Sequence, residues 1–212
     1  MTDKIKIKQI KKDFPINQLD DTAWENAEEI SIEKYWSGKN APIGRQTKAK
    51  LFWSENALYV RFEANQDEPL IISDVPNLTG KTIGLWDRDV CEIFVAPDRN
   101  KPNKYYEFEI APNGEWIDLA IQLLSDRRET DWDYHSGMQS ASQIKSGKIT
   151  MAIKVEWKAF DKTPNKGDVW LGNLFRCVGT GETRGYLSWQ PTKTTEPNFH
   201  VPQAFGEFEF IE

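Results

Sequence analysis

Histidine and cysteine are nearly missing from this 212-residue chain, which holds two of each. A serine or cysteine nucleophile needs an imidazole within hydrogen-bond reach. His135 and His200 both fall in stretches that read as loops. Cys91 and Cys177 form no C-x-x-C pair and no Cys/His spacing of a zinc site. Each lies in a strand-like stretch and reads as a buried free thiol, with a single disulfide between them left open. Long apolar runs are missing too. The opening MTDKIKIKQIKKDFPI has charge but no apolar h-region, so neither a signal peptide nor a membrane span is expected. That gives a cytoplasmic chain, or a mature domain whose export signal was removed. Basic excess is also lacking. The net charge is −6, with Lys and Arg scattered, so nucleic acid has no electrostatic footprint. A neutral or cationic partner suits the chain better. No G-x-S-x-G, P-loop or G-x-G-x-x-G appears, and no helix follows the glycine-rich GTGETRG at 179–185.

Aromatic residues and period-2 alternation are abundant. Aromatics make up 12%, with nine Trp. The length suits one domain, expected to span 1–212. KIKIKQI at 4–10 sets isoleucines against lysines, and 48–64 read as a hairpin through Ser-Glu-Asn. Pro69, Pro76, Gly80 and Gly84 mark 66–85 as a long loop. Strands at about 89–96, 104–111 and 115–123 follow as a meander, and 125–137 read as polar and irregular. Further strands fall at 148–157, 169–178 and 186–190, and FGEFEFIE closes the chain. Only 20–30 has helical character, with Asp20 or Asp21 as N-cap. Nine or ten short strands predict an all-β, antiparallel β-sandwich, with an up-and-down barrel as the alternative.

The densest chemistry sits in GLWDRDVCEIFVAP, residues 84–97. Alternation puts Asp89, Cys91, Ile93 and Val95 on one face and Arg88, Val90, Glu92 and Phe94 on the other. Asp87 to Glu92 is similar to the acid triplet of glycoside hydrolase family 16. Yet a retaining enzyme needs two carboxyls facing one cleft about 5–5.5 Å apart. Here Asp89 and Glu92 diverge, and Asp stands where that triplet begins with Glu. Binding fits better. Sugars offer C–H faces to aromatic rings and hydroxyls to carboxylates and amides. Trp86 beside Asp87, Asp89 and Glu92 is such a mixture, as is SWQPTKTTEPNFHVP at 188–202.

Motifs along nearly the whole chain resemble those of the carbohydrate-binding module family 9 group, with its DOMON-like, jelly-roll-like sandwich. They begin with Asp21…Trp24…Ala27-Glu28 and the hairpin Ala49-Lys50-Leu51-Phe52-Trp53…Leu58-Tyr59-Val60. Trp86-x-x-Asp89-x-x-Glu92-Ile93-Phe94, Tyr106-x-Phe108-x-Ile110 and Asn113-Gly114 follow. Ser188-Trp189 and Asn198-Phe199-His200-x-Pro202-x-x-Phe205-Gly206 close the set. The Trp-x-x-Asp-x-x-Glu signature and the closing Phe-Gly are the specific parts. The resemblance implies a non-catalytic binder of an oligosaccharide or polysaccharide, such as a glucan or xylan chain end held between two aromatic rings. Trp86 would be one wall, Glu92 a rim acceptor, Phe199 or Trp189 the second wall, and Asn198 an amide contact. Tyr106 and His200 complete the expected ligand set. The resemblance also implies a bracing calcium ion, with Asp67 and Asp89 as candidates, and no organic cofactor. A related group binds haem b, for which Met138, His135 and His200 are the available ligands. An interaction module without a ligand is the last alternative, marked by a site filled with the protein's own side chains.

Overall fold

Each strand of the central meander sorts its side chains as alternation requires. In the computed structural model, which describes residues 3–212, β6 (Val90–Ala96) sends Cys91, Ile93 and Val95 into an inner core. Val90, Phe94 and Ala96 join a separate apolar layer on the other face. The first two residues of the expected domain, Met1 and Thr2, lie outside the described residues.

Fourteen strands build the fold of the described residues. The first group is β1 (Lys4–Gln9), β2 (Glu29–Ile32), β3 (Lys34–Tyr35), β4 (Thr47–Trp53) and β5 (Ala57–Asn65). After β6 come β7 (Lys104–Ile110), β8 (Trp116–Leu123), β9 (Arg128–Asp131), β10 (Gln139–Lys145) and β11 (Lys148–Glu156). Then follow β12 (Val169–Val178), β13 (Gly185–Ser188) and β14 (Gly206–Ile211). The hydrogen-bonded order is β10-β11-β5-β4-β1-β14-β12-β6-β7-β8-β9, with β2, β3 and β13 at the margins. β1 pairs parallel with both β14 and β4 and so joins the two halves; the other strand pairs are antiparallel.

The halves curl over the inner core. Leu51, Val60, Phe62, Met151 and Ile153 from one half face Ile93, Phe108, Trp170, Phe208 and Phe210 from the other. Each such side chain contributes about 1.5–3 kcal/mol when fully buried. This is the expected β-sandwich. The back of the first half is covered by Phe14, Ile16, Leu19 and Trp24 from the N-terminal segment. The back of the second half carries Val90, Phe94, Tyr105, Leu119 and Phe175, covered by Leu85, Phe199 and Phe205.

Three local expectations are corrected. Residues 20–30 form no α-helix. Asp21 caps a single 3-10 turn, Thr22–Asn26, by accepting from the Ala23 N–H at 2.8 Å, and β2 follows at once. Glu29–Ile32 pairs with β4, and that cross-strand partner overrides the local helical composition. The stretch 125–137 is not wholly irregular, because Arg128–Asp131 pairs with β8 as a fourth meander strand. The strand count also exceeds nine or ten, since short edge strands carry weak patterns. Cys91 and Cys177 are free and buried, on opposite faces of the β6–β12 pair.

Candidate functional site

The signature Trp86-x-x-Asp89-x-x-Glu92 straddles the start of β6. Gly84 adopts a left-handed φ of 81°, which turns the chain into the 3-10 segment Leu85–Asp87. Asp89 then leaves the long loop. Its carboxylate accepts the N–H of Gly179 at 2.8 Å, the N–H of Ile71 at 3.1 Å and the Gln66 amide at 3.2 Å. Arg184 stands 4.0 Å away. Burial raises the Asp89 carboxyl above its ordinary value despite these bonds. The N–H donors around Asp89 fill a scaffold role, and they do not match the all-oxygen set of a calcium cradle. Asp67 is exposed and its carboxylate packs against Gly44.

Glu92 turns the other way, into the outer layer. There it meets two more acids. Glu109 lies directly across from it on β7, and Glu107 is two residues along. One carboxylate oxygen from each lies within 4.8 Å of the others. Exposure is 2% for Glu92, 3% for Glu107 and 0% for Glu109. Glu92 Oε1 takes the weak Sγ–H of Cys177 at 3.4 Å. No other side chain or backbone N–H reaches Glu107 Oε2 or either oxygen of Glu109, and the Glu107 and Glu109 carboxyls hydrogen-bond each other. Burial, then the neighbouring Glu107, pushes Glu92 up to about 8. Burial raises Glu107 likewise, and burial plus the charges of Glu92 and Glu107 lifts Glu109 well above its usual range.

The C-terminal loop lies over this layer. Phe199 stacks on Phe175 at 4.1 Å between centroids and is 8% exposed. His200 packs on Phe94 at 5.3 Å and hydrogen-bonds Tyr105. Asn198 is exposed and accepts the His200 N–H at 2.9 Å through Oδ1. Trp189 is elsewhere, stacked on Phe208 at the inner core with its ring over Gly206. A Cβ at Gly206 would meet that ring at 2.2 Å, which accounts for the glycine of the closing Phe-Gly. Tyr106 faces Tyr134 and Phe160 on the inner side, opposite Glu92. The expected ligand residues therefore divide. Glu92, Phe199 and His200 share the outer layer with Trp86 packed against it, whereas Tyr106 and Trp189 belong to the inner core. His135 is exposed while Met138 is buried in the inner core, so the two do not form one ligand set.

Sequence reasoning missed Trp132. Its ring lies 6.2 Å from that of Trp86, tilted by 44°, and it is 44% exposed. Lys81 holds the segment that carries it. The ammonium donates to the carbonyls of Asp118 at 2.9 Å, Trp132 at 3.3 Å and Tyr134, and pairs with the Asp118 carboxylate at 2.9 Å. One residue before Trp132, Asp131 lines a groove of about 350 Å³ with Lys104, Tyr105, Gln122 and Glu129. The only sequence signal for this surface was a Trp in a polar stretch.

Comparison with known proteins agrees with this architecture. A putative carbohydrate-binding protein of Bacteroides uniformis superposes with a TM-score of 0.79 at 17% identity, over 99% of this chain and 100% of that one. A family 9 carbohydrate-binding module from Caldicellulosiruptor kristjanssonii, in complex with cellotriose, gives 0.69 at 16% identity over 99% and 94%. The same organism's module in complex with glucose gives 0.70 at 16% over 98% and 95%. At these identities the likeness speaks to the fold. An extracellular protein of Arthroderma benhamiae is 25% identical over 181 residues, 78% of this chain and 79% of that one. The sequence model of the carbohydrate family 9 binding domain-like family matches residues 17–212, so the chain belongs to that family.

Proposed function

We propose that this protein binds a neutral carbohydrate chain without cleaving it, on the surface formed by Trp86 and Trp132. The paired indoles, Trp132 exposed and Trp86 half-buried, carry the reading. Sugar C–H faces stack on such rings, and the groove that begins at Asp131, next to Trp132 in the chain, offers Gln122, Glu129 and Asp131 for hydroxyls. The pair is a platform, not a slot. A sugar inserted between two rings needs about 7–8 Å, twice a carbon–carbon contact, and these centroids are 6.2 Å apart. Family membership and the cellotriose and glucose of the Caldicellulosiruptor complexes support a glucan fragment as the ligand class, with xylan as the second series to test. The non-catalytic reading is supported by burial: the Glu92, Glu107 and Glu109 carboxylates are closed off from any scissile bond.

Isothermal titration with cello- and xylo-oligosaccharides, intact and reduced at the end, tests this. Binding should appear with at least one series and be lost in Trp132→Ala and Trp86→Ala. Release of reducing sugar should be nil. No heat from either series would remove the carbohydrate reading. Full binding in both variants would move the site elsewhere.

A further inference from the structure

We propose that the cleft between the turn after β3 and the loop before β13 is a second glycan site, selective for a sugar that carries a carboxylate, such as a uronic acid residue. A cleft of about 400 Å³ opens there, lined by Tyr35, Trp36, Lys39, Arg45, Glu182 and Arg184. That volume falls within the roughly 300–1,000 Å³ of small-ligand pockets. The occupant's being a sugar rests on the carbohydrate reading above, whereas its charge follows from this cleft alone. Three cationic residues line the cleft against one acid, in a chain of net charge −6. Glu68 neutralises Arg45, and one positive charge is left over.

Each wall is held by its own bonds. β3 pairs with β13, which sets Tyr35 across from Leu187. Gly38 turns the chain at a φ of 89° and donates its N–H to the Tyr35 carbonyl at 2.8 Å. Trp36 is half-buried. Its Nε1–H donates to the Thr194 carbonyl at 3.2 Å, and the Tyr186 ring meets it edge-on at 6.3 Å. Glu68 grips Arg45 by two bonds, of 2.6 and 2.7 Å, and Arg45 Nη1 stands 3.5 Å from the Tyr35 hydroxyl. A Cβ at Gly185 would meet Arg45 Nη1 at 2.8 Å, so the glycine lets the guanidinium lie against the backbone. Arg184 lies over the Tyr186 ring at 5.4 Å and donates to the carbonyls of Gly179, Trp86 and Arg88. Those bonds use three of its five N–H donors, and two remain for an anion. Lys39 is exposed at the rim. A sugar ring asks for an aromatic face and a carboxylate for charged donors, and the cleft joins the two. A neutral sugar would not use the cations, and a bare phosphate would leave the indole idle.

The test is isothermal titration of the full chain with glucuronate, with oligogalacturonides and with the same oligomers after reduction of the carboxyl to an alcohol. At least one uronide should bind, more weakly as salt rises. The carboxyl-reduced oligomers should bind about tenfold or more weaker, and Lys39→Glu and Trp36→Ala should weaken uronide binding as much. Trp132→Ala should leave uronide binding unchanged, and Lys39→Glu should leave the cello-oligosaccharide titration unchanged. If Trp36→Ala fails to fold, Lys39→Glu, on an exposed side chain, decides. No heat from any uronide would overturn the site, as would equal affinity for the carboxyl-reduced oligomers. Full uronide binding in Lys39→Glu would do the same. Loss of uronide binding in Trp132→Ala would assign it to the indole platform and overturn the second site. Complete displacement of the uronide by an equal concentration of inorganic phosphate would make the cleft an anion site without sugar selectivity, against the proposal. Uronide and cello-oligosaccharide titrations are separate readouts, so either proposal can fail alone.

Discussion

The hydroxyl of Tyr105 and Nδ1 of His200 lie 2.7 Å apart, 95 residues distant in the chain. This bond ties the C-terminal loop to β7 over the buried acids. Tyr105→Phe keeps the ring against Phe94 and Phe205 but leaves the imidazole nitrogen unpaired. A loss of about 1–2 kcal/mol is expected, read by urea unfolding. No loss would show that the loop is held by ring packing alone.

His200 also makes stability depend on pH. Burial first, then the charge of Arg128, lowers its pKa from 6.5 to about 3. Between those values the unfolded chain binds a proton that the folded chain refuses. Stability from this group is therefore present above about 6.5 and lost as pH falls toward about 3. His200→Asn removes the imidazole, and other groups titrate alike in both proteins. The Tm advantage of wild type over the variant should shrink between neutral and acid pH. A constant difference would contradict the burial of a neutral imidazole.

Period-2 alternation made the strands legible, and it separated Asp89 from Glu92 without any tertiary knowledge. It did not reveal Glu107 and Glu109 as buried. An alternating strand ordinarily turns its acids to water, and KYYEFEIA gives no sign that a loop some 90 residues later covers that face. The adjacent Tyr105 and Tyr106 show the same limit: both are aromatic, and only the register decides that Tyr105 meets His200. Loop aromatics were hardest. Phe199 reads as an open wall but finds Phe175, whereas Trp132, in a polar stretch, ends beside Trp86 because Lys81 grips its carbonyl.

Phe199 and Trp132 should therefore behave oppositely on truncation. Phe199→Ala removes a buried ring stacked at 4.1 Å and should cost about 3 kcal/mol or more. Trp132→Ala removes an exposed ring and should change stability by less than about 1 kcal/mol while abolishing sugar binding. Denaturant midpoints and titration, measured on both variants, separate the roles. A stable Phe199→Ala that loses binding would restore Phe199 as a wall.

Arg176 crosses from β12 to the opposite half of the sandwich, with its residue 2% exposed. Its guanidinium donates to the carbonyls of Arg45 and Asn65, each at 2.7 Å, to Thr47 Oγ1 at 3.2 Å and to the Gln66 side chain. Arg176→Met would fill much of the volume yet strand these acceptors. We expect a loss of about 3 kcal/mol or more in denaturant unfolding. A loss under about 1 kcal/mol would mean that water replaces the guanidinium.

The two thiols should be silent in the native state. Burial pushes Cys91 up to about 12, and burial with the Glu92 charge raises Cys177 well above its usual value. The thiolate is the reactive form, so neither group supplies it at neutral pH, and neither is reachable. A disulfide-exchange reagent should titrate no thiol in buffer and two after unfolding, with no reductant needed to free them. Rapid labelling of one thiol in the folded protein would place Cys177 at a face that opens, since Cys91 lies in the inner core while Cys177 sits beneath the loop carrying Phe199. Phe199→Ala should then speed labelling of Cys177 alone, because that ring helps cover its layer.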